Sequence, residues 1–211
     1  MNKLVTEFIG TFFLFLTIGC SVLAGAGGGV IPPLAIGSAL MVMIFAGGHI
    51  SGAHYNPAVT LGALLRGRTT VPEAIGYWVV QILGAGAAAA AVKFLRPDAV
   101  AAIEYSAIAT GPAFLAEFLF TFALVYVVLN VATSKDTAGN SFYGLAIGFT
   151  VLTGAFAVGD ISRGAFNPAV AVGLWRLGIA SVNDLGLYFL ANLAGGAVAA
   201  IVFRVLNPND S

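Results

Sequence analysis

Asn56 and Asn167 each stand immediately before Pro and Ala, and the match around them is long. Gly48-His49-Ile50-Ser51-Gly52-Ala53-His54-Tyr55-Asn56-Pro57-Ala58-Val59 aligns with Gly159-Asp160-Ile161-Ser162-Arg163-Gly164-Ala165-Phe166-Asn167-Pro168-Ala169-Val170. An Asn followed by Pro starts a helix, because the Asn side chain caps the first free N–H groups and Pro fits the first helical position without losing a bond. Each Asn also offers two amide N–H donors. Two such residues brought tip to tip would grip the oxygen of a small neutral molecule, which is hydrogen-bonding chemistry rather than bond-breaking chemistry.

The other polar residues of the repeats read differently. Ser51 and Ser162 lie near His54 and Asp160, but their mirrored positions fit loop hydrogen bonding better than nucleophilic catalysis. No nucleophile with its base can be assembled, so the chain is expected not to be an enzyme. His49 and His54 have no Cys or carboxylate at ligand spacing and no His counterpart in the second copy, so neither a metal nor a cofactor is expected. Cys20 is the one cysteine and reads as a small core residue. Nine Lys and Arg balance nine Asp and Glu, and no nucleic-acid partner is expected.

The elements that position these residues follow from composition. The chain is 59% hydrophobic and 9% charged, far from the roughly 25% charged of a soluble domain, so its solvent is lipid. Apolar stretches near the roughly 20 residues that cross a bilayer run over Leu4–Leu23, Leu34–Ile50, Val71–Leu95, Ala113–Val131, Phe142–Val158 and Leu185–Leu206. Asn56–Arg66 and Asn167–Arg176 are too short to cross, each giving about 15 Å of helix. Irregular backbone at membrane depth is tolerated where protein covers it or water meets it, so Gly52–Tyr55 and Arg163–Phe166 are expected to line a cavity.

The first span could instead be a secretory signal, with Lys3 at its start and Ala24-Gly25-Ala26 near a cleavage site. Glu7 argues against that, since Thr6-Glu7-Phe8 matches Ala116-Glu117-Phe118 and precedes the following Asn by 49 residues in one half and 50 in the other. Three spans per half is an odd number, so the repeats must be inverted about an axis in the membrane plane. The expected fold is thus all-α: six transmembrane helices plus two re-entrant half-helices, one membrane domain over 1–211 with repeats at about 1–100 and 105–211. Small residues at four-residue spacing, as in Gly144–Gly148, Gly84 with Ala88 and Ala191 with Gly195, point to closely packed helices. Turn-rich connections are expected at Gly25–Pro33, Arg96–Pro112 and Ser134–Asn140. With the N-terminus inside, Lys3, Arg66, Arg68, Lys135 and Arg204 are cytoplasmic against Lys93, Arg96, Arg163 and Arg176 outside, a weak bias.

The paired Asn-Pro-Ala motifs, the Ser51–Thr60 run and the two early glutamates resemble the aquaporin, or major intrinsic protein, family over almost the whole chain. The resemblance implies one pore per subunit, a homotetramer in membrane lipid, and passive flow of water or small neutral solutes. It also implies that Glu7 and Glu117 accept bonds from backbone N–H groups of the re-entrant loops, and that His54 contributes chiefly its carbonyl. A bacterial inner membrane with both termini cytoplasmic is the expected location.

At the constriction the positive ends of two half-helices meet, each equivalent to roughly half a unit charge, and repel cations. A water oxygen held by Asn56 and Asn167 turns its hydrogens outward, which breaks a proton-conducting chain. Carbonyls of Gly52, Ala53, His54, Arg163, Gly164 and Ala165 replace lost hydration for a neutral solute, whereas a bare ion loses tens of kcal/mol of solvation.

The family pattern places an outer filter on Ile36, Ala155, Gly164 and Val170. Relatives usually carry an arginine at the place of Val170, and water-selective ones an aromatic and a histidine at the first two. Glycerol facilitators are expected to have an Asp where Ala171 stands. A wide apolar filter follows as the expectation, with glycerol-like solutes or neutral metalloid acids such as arsenite as cargo. Arg163 could swing into the mouth to replace the missing cation, but it is expected to pair with Asp160 at the surface. Two other classes share this architecture. A structural or junctional membrane protein would show no flux, and an ion-coupled secondary transporter would show saturable, gradient-driven flux using the carboxylates Glu7 and Glu117.

Overall fold

The computed structural model describes residues 1–24 and 29–210, and the regular structure among them is helical. In chain order the helices are α1 (Asn2–Val22), α2 (Ile31–Ser51), α3 (Pro57–Leu65), α4 (Val71–Leu95), α5 (Pro97–Ala101), α6 (Thr110–Thr133), α7 (Tyr143–Ser162), α8 (Pro168–Leu177) and α9 (Val182–Leu206). Six of them, α1, α2, α4, α6, α7 and α9, are long and apolar enough to cross a membrane. The half-helices α3 and α8 have nine and ten residues, about half the length needed to cross.

All six expected spans are present, and at two of the ends that differ the cap gives the reason. α9 begins at Val182 rather than Leu185 because Ser181 and Asp184 form a reciprocal capping box, which satisfies two otherwise orphaned donors. α7 runs on past Val158 to Ser162 and stops where Arg163 turns left-handed at φ 70°. The Arg96–Pro112 connection holds α5 and the start of α6, and Ser134–Asn140 holds a short 3-10 turn at Lys135–Thr137. The expected connection at Gly25–Pro33, and Gly25 and Ala26 of the possible cleavage site, lie partly or wholly outside the described residues.

The two halves pack alike. α1 lies on α4 and α2 in the first half as α6 lies on α9 and α7 in the second, while α2 and α7 meet at the centre. Each half-helix also crosses over to the other half, α3 against α9 and α8 against α4. Two pairs of glycines permit these approaches. A Cβ on Gly84 would lie 2.7 Å from the Phe8 carbonyl oxygen, and one on Gly195 would lie 2.5 Å from that of Phe118. Across the centre a Cβ on Gly37 or Gly148 would strike the other's carbonyl oxygen at 2.8 and 2.5 Å. Exposed side chains on the long helices include Leu83, Leu190 and Ile201, as a lipid-facing surface requires.

Candidate functional site

Each re-entrant loop is folded around a buried carboxylate. Glu7 Oε1 accepts from the Ser51 hydroxyl at 2.7 Å and the His54 N–H at 2.9 Å, and Oε2 from the Tyr55 N–H at 2.7 Å and the Gln81 amide at 2.9 Å. Glu117 repeats this with the Ser162 hydroxyl at 2.7 Å and the Ala165 and Phe166 N–H groups at 2.9 and 2.7 Å. With its amide oriented to suit its neighbours, Asn192 also donates to Glu117 Oε2 at 3.0 Å and accepts from the Asn167 N–H at 2.6 Å. Tyr77 and Tyr188 complete the two shells by donating to the Ser51 and Ser162 carbonyls, both at 2.7 Å.

These bonds hold a backbone that would not fold this way alone. Ala53, Tyr55, Arg163 and Phe166 all have φ between 47° and 70°, a left-handed conformation costing roughly 1–2 kcal/mol per L-residue. Peptide planarity turns that strain to use, since an N–H directed at the carboxylate turns the preceding C=O the opposite way. The N–H groups of His54 and Tyr55 face Glu7, so the carbonyls of Ala53 and His54 face away from it. Ala165 and Phe166 do the same for Gly164 and Ala165. The Ser51 and Ser162 hydroxyls accept from Ala53 and Gly164 at 3.0 and 3.2 Å, which turns the carbonyls of Gly52 and Arg163 likewise.

The half-helix tips meet through their asparagines. Asn56 Oδ1 accepts from the Ala58 N–H at 2.8 Å, and Asn167 Oδ1 from Ala169 at 2.9 Å and Val170 at 3.5 Å. One N–H of each amide crosses to the other half, Asn56 Nδ2 to the Phe166 carbonyl at 2.8 Å and Asn167 Nδ2 to the Tyr55 carbonyl at 2.9 Å. Each Asn therefore keeps one N–H for a passing molecule rather than the two counted from sequence.

Both asparagines line one cavity together with Ile36, Val151, Gly164 and Val170, and among the described residues no Lys, Arg, Asp or Glu side chain shares the wall. Ala53, His54 and Ala165 line it as well. Ala155 stands behind Gly164, its Cα 3.7 Å from where a Gly164 Cβ would be, and Val151 one turn earlier supplies the α7 wall. The cavity is mostly apolar and narrow: its volume is about 30 Å³, room for about two water molecules at ~10–15 Å³ each. Leu14, Ile18, Leu40 and Leu124, larger than Gly164 and Val170, line the same cavity. Ile44, His54, Val128 and Ile147 also line a second cavity, of about 900 Å³, whose wall includes Gly52, Lys3, His49, Arg68, Glu73 and Lys135.

Arg163 corrects one expectation. Its partner is Asp184, at 3.4 Å, and not Asp160, because Asp184 is held at the first turn of α9 by Ser181. The guanidinium also donates to the Ser106 carbonyl and stacks over Tyr105 at 5.5 Å. Cys20 sits half-buried in a groove between the ends of α1 and α4 with Leu16, Thr17 and Arg96.

Sequence reasoning did not single out Tyr77, Tyr188, Gln81, Asn192 or Thr60. The available signal was periodic: Tyr77 and Tyr188, and Gln81 and Asn192, are separated by the same 111 residues as Asn56 and Asn167.

Comparison with known proteins agrees with this geometry along the chain. A family model described as Major intrinsic protein matches residues 1–203. The glycerol uptake facilitator protein-like 6 of Lactiplantibacillus plantarum is 36% identical, with all of both chains aligned. Aquaporin Z of Rhodopseudomonas palustris is 34% identical, over all of this chain and 95% of its own. The X-ray structure of the aquaglyceroporin from Plasmodium falciparum superposes with a TM-score of 0.79 at 25% identity, covering 99% of this chain and 95% of that one.

Proposed function

The chain belongs to the major intrinsic protein family and forms a passive transmembrane channel for water or small neutral solutes, and from that premise we propose that it passes solutes larger than water. The observation that carries this reading is that, among the described residues, no Lys or Arg lies on the wall that joins Asn56 and Asn167 to Ile36, Gly164 and Val170. A neck closed by aliphatic side chains widens when Ile36, Leu40 or Val151 changes rotamer, with no charge to move. An arginine at Val170 would instead bring a charge and its hydration that a solute must displace. Glycerol-like polyols and neutral metalloid acids such as arsenite fit this wall, since each carries hydroxyls for the loop carbonyls and no net charge to desolvate.

Asn56 and Asn167 form the constriction in this reading. Ile36, Gly164 and Val170 set the filter with Ala155 behind Gly164, and Glu7 and Glu117 brace the loops. The family supports a homotetramer in membrane lipid, and the bacterial relatives support a bacterial inner membrane with both termini cytoplasmic. The test is stopped-flow light scattering on liposomes under osmotic shock with water, glycerol, urea and arsenite, comparing the wild type with Val170→Arg. Val170→Arg is expected to cut glycerol and arsenite uptake about tenfold or more, the effect of roughly 1.4 kcal/mol at the barrier, while water flux falls less. Equal uptake of the larger solutes by both proteins would remove Val170 from the filter.

A further inference from the structure

The two loop shells are not equivalent, and the difference ends on a histidine. His54 Nδ1 lies 3.1 Å from Thr60 Oγ1, and the same hydroxyl lies 3.1 Å from Gln81 Nε2 and 3.1 Å from the Asn56 carbonyl oxygen. In the second half the corresponding places are Ala165, Ala171 and Asn192. The relay therefore exists once.

Its protons can be counted. The Glu7 carboxylate takes one N–H of the Gln81 amide, which fixes that amide nitrogen-forward, so its second N–H is donated to Thr60 Oγ1. A carbonyl oxygen cannot donate, so the Asn56 contact requires the one hydroxyl proton of Thr60. Thr60 has then one lone pair left, and His54 Nδ1 must supply the proton for that contact. This is the one arrangement in which all three contacts are hydrogen bonds. The ring is held edge to face against Tyr77 at 5.2 Å, and its residue lines both the narrow and the wide cavity. Nε2 has no protein partner among the described residues.

We propose that Thr60 and Gln81 hold His54 as the Nδ1–H tautomer, so that its bare Nε2 is a hydrogen-bond acceptor at the junction of the two cavities and favours solutes that bring an O–H or N–H donor. This rests on the channel reading above. Apart from the two asparagines and the loop backbone the narrow wall is apolar, and the Asn56 and Asn167 side-chain oxygens are already engaged as caps. The asparagines thus offer donors, and His54 adds a side-chain acceptor to those of the loop carbonyls. Thr60 and Gln81 are positioning residues, since they act through the ring.

The decisive measurement is solid-state NMR on ¹⁵N-histidine-labelled protein in liposomes at pH 8, above the ordinary His range of about 6.5. His49→Gln leaves His54 as the one labelled ring. Nδ1 is expected to carry the proton and Nε2 to give the shift of an unprotonated nitrogen. Thr60→Val removes the acceptor for Nδ1–H and is expected to move the ring towards the Nε2–H tautomer. Glycerol uptake is then expected to fall about three- to tenfold, the scale of one hydrogen bond, and Thr60→Ser to keep both the wild-type spectrum and uptake. A protonated Nε2 in the wild type would overturn the proposal, and so would a Thr60→Val protein with an altered tautomer and unchanged uptake. A wild type that passes no solute at all would sink the channel reading, and the spectrum would still decide the tautomer.

Discussion

Four donors converge on the Glu117 carboxylate at membrane depth: the Ser162 hydroxyl, the Ala165 and Phe166 N–H groups and the Asn192 amide. No water replaces a lost acceptor there without entering a packed wall, so the carboxylate holds the loop in its left-handed turns. Glu117→Gln keeps the shape but presents an NH₂ where backbone N–H groups already point. It is expected to destabilise the protein by at least about 3 kcal/mol, because buried donors are left unsatisfied, and thermal unfolding in detergent reads this directly. An unfolding temperature equal to that of the wild type would show that the loop stands without its brace. Glu7, Glu117, Asn56 and Asn167 were legible in the sequence because a carboxylate or an amide is out of place in an apolar run. Tyr77 and Thr60 were not, since a tyrosine or a threonine in a membrane helix reads alike whether it faces a loop or lipid, and Gln81 was missed because a different amide, Asn192, stands at its place in the second half, so no motif repeats there. Arg163 was matched with Asp160 by nearness along the chain, whereas its partner Asp184 lies 21 residues away on another helix.

At the scale of elements, hydropathy revealed six spans and two half-helices because length against bilayer thickness decides which apolar helices cross. It was silent on neighbours, since lipid and helix faces are equally apolar. Glycine position carried part of that missing information. α9 tests it within one helix, where Gly195 faces the Phe118 carbonyl oxygen and Gly186 faces open space. Gly195→Ala puts a methyl 2.5 Å from backbone, which cannot rotate away, so α6 and α9 must part. The expected loss is about 1–3 kcal/mol. Gly186→Ala meets nothing within 4 Å and is expected to be neutral or to stabilise the helix by up to about 1 kcal/mol. Unfolding temperatures of the two variants should therefore move in opposite directions or differ widely, and equal shifts would remove the close approach as the cause. The narrowness of the cavity was not legible for a related reason. Small residues at Gly164 and Val170 predict space only if larger neighbours do not fill it, and Leu14, Ile18 and Leu40 come from other helices.

The whole molecule is less symmetric than its repeat, because both termini gather at the wide mouth. Lys3 pairs with Glu73 at 2.7 Å, and Lys3, Glu73 and Lys135 all belong to the 900 Å³ cavity. At the same face Asp210 ties three segments together. It meets the buried Arg66 at the end of α3 at 2.7 Å, Arg68 at 3.7 Å, and the Lys135 N–H at 3.0 Å, while Arg66 also stacks over Phe203 at 4.7 Å. Partial desolvation pushes the Asp210 carboxyl up, but the Ser134 hydroxyl, the Lys135 N–H and Arg66 outweigh it and hold its pKa below the ordinary carboxylate range. A carboxyl that is more acidic folded than unfolded contributes stability above its unfolded pKa of about 3.9, and that contribution disappears as pH falls through the folded value. The tie is therefore intact at neutral pH and is lost only in strong acid. Asp210→Asn, lacking the charge at every pH, is expected to unfold at lower temperature than the wild type at pH 7. Its unfolding temperature should also fall less steeply between pH 5 and pH 3, so that the two curves converge in acid. Parallel curves over that interval would show that Asp210 does not fasten α3 to the α6–α7 connection. Converging curves would place the C-terminal segment among the parts that shape the wide mouth.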